Sequence, residues 1–117
     1  MEKNIIFIKN FKTECYIGVY PNEKERKQKI KVTVKLKIKR LKITDQLSST
    51  VCYQKILNIL EKINKFTHIN LVETLAHKLA DEFTEIKNIK KITIKISKCE
   101  VSNQETDVGF IFKKSIK

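Results

Sequence analysis

The chain has 117 residues, 41% of them hydrophobic and 32% charged, which suits one domain over residues 1–117 and leaves no room for a second. So short a chain would lose much of its core to a deep internal cavity, so a ligand site shared between copies is the easier solution. The formal charge of +12 raises a nucleic-acid reading, but the cations are 23 Lys against Arg26 and Arg40, beside 18 Ile, and this favours a solvated lysine surface over a phosphate site built on arginine forks.

Residues 5–16 are apolar-rich and β-branched, and Gly18, Pro21 and Asn22 then supply turn chemistry, which predicts a first strand and its loop. Over residues 29–39 the alternation is strict, with Ile30, Val32, Val34, Leu36 and Ile38 on one side and lysines on the other, which predicts a second strand. After Ser48, Ser49 and Thr50 the period becomes helical, through Tyr53, Ile56, Leu57, Leu60 and Ile63. A second helix is predicted after Asn70, its apolar face running from Val72 through Leu75, Ala76, Leu79 and Ala80 to Phe83. Strand period returns at Ile92, Ile94 and Ile96, and again at Val108, Phe110 and Phe112. The order ββααββ predicts an α+β fold, a four-stranded antiparallel sheet with two helices on one face. Its edge strands leave backbone groups to be paired, which suggests oligomerisation.

Cys15, Cys52 and Cys99 show no CxxC spacing, and His68 and His77 complete no ligand cluster with them. Free thiols, no metal and no cofactor are the expectation. Residues 1–12 hold no apolar run suited to a secretion signal, and nowhere do roughly 18 apolar residues come together. The expectation is a soluble cytoplasmic protein that neither enters a membrane nor binds a specific nucleic acid.

Four segments together resemble the dihydroneopterin aldolase family of the tunnelling fold, in that family's order: Ile17-Gly18-Val19-Tyr20-Pro21-Asn22-Glu23; Asp45 followed by Thr50-Val51-Cys52-Tyr53; Asn70-Leu71-Val72-Glu73-Thr74-Leu75-Ala76; and Ile94-Lys95-Ile96-Ser97-Lys98. The resemblance implies a homo-oligomer, typically an octamer of two stacked four-subunit barrels with active sites between neighbouring subunits. It also implies retro-aldol cleavage of dihydroneopterin to hydroxymethyl-dihydropterin and glycolaldehyde in folate biosynthesis, with epimerisation of the side chain in many members.

Each site residue has a plainer alternative. Alternation turns Lys98 inward with Ile92, Ile94 and Ile96, where a lone lysine would ordinarily snorkel past the strand end; the resemblance makes it the base acting on a substrate hydroxyl. Asn70 and Glu73 have the form of a capping box, whereas the resemblance has the Glu73 carboxylate accept hydrogen bonds from the pterin's amino group and ring N–H. Tyr53 would by default join the apolar stripe of its helix; the resemblance makes it the proton relay, placed across the interface from Glu73 and Lys98. Glu23, by default a solvent charge, would position the substrate's diol. Val72, Thr50 and Val51 join the substrate-binding set, and Asp45 shapes the pocket. Cys99 stands where the family often has proline, so the loop of residues 99–107 departs from the pattern. The alternatives are a dihydroneopterin triphosphate epimerase of the same fold, which the Thr50-Val51 pair argues against, and a basic nucleic-acid binder, whose strand faces lack interleaved aromatics.

Overall fold

A computed structural model of the chain describes residues 2–39, 44–98 and 106–116, with the backbone but not the side chain of Ser49. The ββααββ order holds: β1 (Asn4–Cys15), β2 (Gln28–Ile38), α1 (Tyr53–Glu61), α2 (Val72–Thr84), β3 (Ile89–Lys98) and β4 (Val108–Ser115). The strands form one antiparallel sheet in sequence order. Cys99 and most of the loop at 99–107 lie outside the described residues.

The alternation of the central strands places the core. Val32 pairs with Ile96, Val34 with Ile94 and Leu36 with Ile92. All six are buried beneath Ile56 and Leu60 of α1 and Leu75, Leu79 and Phe83 of α2. The opposite face carries the lysines; Lys37 pairs with Lys91 across the two central strands, and no helix among the described residues covers them. No helix among the described residues is long and apolar enough to cross a membrane.

Two local departures from the pattern matter. The pairing of β1 with β2 shifts register between Ile8 and Phe11, where Asn10 takes φ 57 and its backbone N–H donates to the Thr33 hydroxyl at 3.0 Å. An extra residue in a strand reverses which side chains face inward; Ile6 and Ile8 lean on the core before the shift, Phe11 and Cys15 after it. Without it Cys15 would point to the open face. The first helix ends at Glu61, and Ile63 reaches the core from a short 3-10 turn (Ile63–Lys65).

At β4 the chain runs tight against β3. A Cβ added to Gly109 would overlap the Ile96 carbonyl oxygen, a backbone atom with no rotamer to move. Gly109→Ala is therefore expected to lower stability by about 1–3 kcal/mol through forced backbone displacement, seen as a lower urea midpoint.

Candidate active site

The site begins where β1 ends. Ile17 makes an isolated parallel bridge with Ile69: the Ile69 N–H donates to the Tyr16 carbonyl at 2.9 Å and the Gly18 N–H to the Ile69 carbonyl at 3.0 Å. This fastens the segment after β1 to the loop before α2. Gly18 then adopts φ +134, and the space that a Cβ would fill there is occupied by the Glu23 carboxylate. A 3-10 turn opened by Pro21 (Pro21–Glu23) returns Glu23 to this place, and the Tyr20 backbone N–H donates to Glu23 Oε1 at 3.2 Å.

The other carboxylate oxygen, Oε2, accepts from Lys98 Nζ at 2.7 Å and from Gln28 Nε2 at 2.9 Å. Gln28 is only 5% exposed, and its amide also donates to the Ile17 carbonyl. The Lys98 hydrogen bond, then that of Gln28, brings the Glu23 carboxyl down to about 2, against the opposing effect of burial; the Tyr20 N–H adds a smaller contribution. Lys98 lies on the core-facing side of β3, opposite Ile30, with its side chain 17% exposed. It reaches Glu23 instead of snorkelling into water. Beneath them Cys15 is buried, and burial pushes its thiol up to about 11 although Lys98 and Lys27 pull the other way. It is a packing residue and not a thiolate nucleophile.

Glu23, Gln28 and Lys98 line a cleft of about 390 Å³, with Val19, Tyr20, Leu71 and Val72 as apolar wall and Glu73 also at its lining. The capping box that was the plainer alternative for Asn70 and Glu73 does not form. Leu71 occupies the N-cap without a side-chain cap bond, because α2 starts one residue later, at Val72. Glu73 is exposed in the helix's first turn, and no group among the described residues donates to its carboxylate.

Of the residues singled out from sequence, the structure brings Glu23, Val72, Glu73 and Lys98 together in this cleft. Thr50 and Val51 border a different groove, between residues 47–62 and 82–88, and Val51 is only 4% exposed. Tyr53 starts α1 with 63% of its surface exposed, so its ring does not join the core stripe of that helix. Asp45 is exposed at φ 55. None of these four lines the Glu23–Lys98 cleft on the same chain. Gln28 was not among the residues singled out, although it is a polar side chain in phase with the inward set from Ile30 to Ile38.

The family model for dihydroneopterin aldolase matches residues 6–112. The chain belongs to the dihydroneopterin aldolase family. The dihydroneopterin aldolase of Bacillus subtilis (strain 168) is 26% identical over 96 residues, 80% of each chain. Two solved dihydroneopterin aldolases share the fold at lower identity. The Escherichia coli enzyme in complex with neopterin has a TM-score of 0.83 at 22% identity, over 96% of this chain and 99% of that one. A Burkholderia enzyme bound to guanine has a TM-score of 0.82 at 17% identity, over 98% and 93%. The four antiparallel strands and two helices are therefore the family's architecture.

The Glu23 pairing has a pH signature of definite sign. Its carboxyl binds a proton more weakly in the folded chain, about 2 against an ordinary 4.5. The stability it supplies is thus complete above the ordinary value and is lost as pH falls towards the folded one. Melting temperatures of wild type should decline across that window, and Glu23→Gln should flatten that part of the decline; equal slopes would mean that Glu23 is not held as described.

Proposed function

We propose that the chain catalyses the retro-aldol cleavage of dihydroneopterin to hydroxymethyl-dihydropterin and glycolaldehyde in folate biosynthesis, as a cytoplasmic homo-octamer whose sites lie between subunits. The observation that carries this reading is the meeting of unlike groups in one cleft, the Glu23–Lys98 ion pair and a Glu73 carboxylate that no group among the described residues engages. The ligands of the two solved relatives, neopterin and guanine, share a pyrimidinone edge on which an amino group and a ring N–H stand side by side. One carboxylate can accept from both, and Glu73 is free to do so.

With the ring held by Glu73, the side-chain diol falls against Lys98 and Glu23. The Lys98 amine, in its uncharged form, takes the hydroxyl proton through a water, and the oxygen's electrons form the glycolaldehyde carbonyl as the carbon–carbon bond breaks. The released pair enters the ring imine of the reduced pterin, so the substrate supplies its own electron sink. Tyr53 of a neighbouring subunit returns a proton to the carbon left behind. Val72 walls the ring, while Thr50 and Val51 arrive with Tyr53 from that neighbour. Glu23 fixes the lysine and meets the diol.

Glycolaldehyde release from dihydroneopterin tests this reading, because an epimerase of the same fold would conserve every carbon of its substrate. Lys98→Ala should reduce release by about 10²- to 10⁴-fold while pterin binding persists. Glu73→Gln should weaken binding by about 1.5–3 kcal/mol with little change in melting temperature, since Glu73 caps nothing. Turnover close to wild type in Lys98→Ala would remove the lysine from the mechanism.

A further inference from the structure

His68 belongs to none of the segments that carry the family resemblance, yet its Nε2 lies 2.7 Å from the Gly18 carbonyl oxygen. That oxygen accepts only, so Nε2 carries the hydrogen and donates. Nδ1 is buried, and no group among the described residues partners it. An apolar ring would fill the same space without burying an unsatisfied nitrogen, so what the histidine supplies is its Nε2–H donor. Gly18 is held a second time, through its own N–H to the carbonyl of the next residue, Ile69. Both anchors come from one loop, and between them they fix the glycine at φ +134. The Glu23 carboxylate is folded into the space that the missing Cβ leaves, and it holds Lys98 at 2.7 Å.

We propose that His68 is a positioning residue of the active site: by fastening the Gly18 carbonyl, it keeps open the seat of the Glu23 carboxylate and so sets where Lys98 stands. The catalytic consequence rests on the aldolase reading; the geometric one does not.

Two uncharged variants separate the donor from the ring and from the imidazole's own charge. His68→Gln keeps an N–H that can reach Gly18, and His68→Phe keeps an aromatic ring without one. Titrating the Glu23 carboxyl by carbon-13 NMR reads the seat directly. It should titrate in His68→Gln near the wild-type position of about 2, and in His68→Phe it should move up towards the ordinary carboxylate range. In the glycolaldehyde assay His68→Phe should lose about 10- to 100-fold in kcat with little change in KM, and His68→Gln should recover most of it. If His68→Phe does not fold, His68→Ala is read in the same way. Coincident Glu23 titrations in the two variants would overturn the proposal. If wild type released no glycolaldehyde, the aldolase reading would fall, and the titration would still decide the role of His68.

Discussion

Two backbone hydrogen bonds between Tyr16–Gly18 and Ile69 hold the site together. They join segments about fifty residues apart in sequence, outside the main sheet. From one side of this bridge the chain turns back through Pro21 to deliver Glu23; from the other it enters α2 and delivers Val72 and Glu73. The end of β3 supplies Lys98 to the same place. Each of these segments is short, so once the bridge is closed little freedom is left in where the charged groups stand.

The charged groups also depend on one another. A lysine mostly withdrawn from water needs a partner, and breaking such a pair by removing one member leaves an uncompensated charge. Glu23 meets that need, and Gln28 and the Tyr20 N–H in turn donate to two of its other acceptor sites. Glu73 has no such engagement among the described residues, and in the proposed reaction it takes the pterin ring. The cleft is a surface feature, which suits a chain with little core to spare. It is walled by Val19, Tyr20 and Leu71, all well exposed on one chain. In the proposed assembly a neighbouring subunit covers this apolar wall and brings Tyr53 with it.

Much of the fold was legible because the inward residues of β2 alternate throughout and those of β3 from Ile92 to Ile96, and the same alternation put Lys98 on the inward face. The bulge at Asn10 was not legible, since one inserted residue leaves a strand's composition unchanged while reversing its faces. Asn70 and Glu73 show the opposite failure: the spacing of a capping box is present, but Asn70 lies outside the helix and Leu71 takes the N-cap position. Of the residues that meet in the cleft, the family-like segments had singled out Glu23, Val72, Glu73 and Lys98. The supports of Glu23 were hidden for different reasons. Gln28 sat in phase with the inward residues of β2 but was masked by the lysines around it. The contact of His68 with Gly18 spans fifty residues, and no local pattern carries that distance.

In the proposed assembly this cleft becomes a working site only when another copy of the chain supplies Tyr53. Unfolding and co-refolding equal amounts of Lys98→Ala and Tyr53→Phe chains tests it most directly, with mixed oligomers verified by mass spectrometry. Random mixing in a closed ring places an intact Lys98 beside an intact Tyr53 in about one quarter of sites. Glycolaldehyde release should therefore rise from the parental background towards that share of wild type. Proven mixing with activity still at the level of the inactive parents would put both residues in one subunit's site and contradict the account.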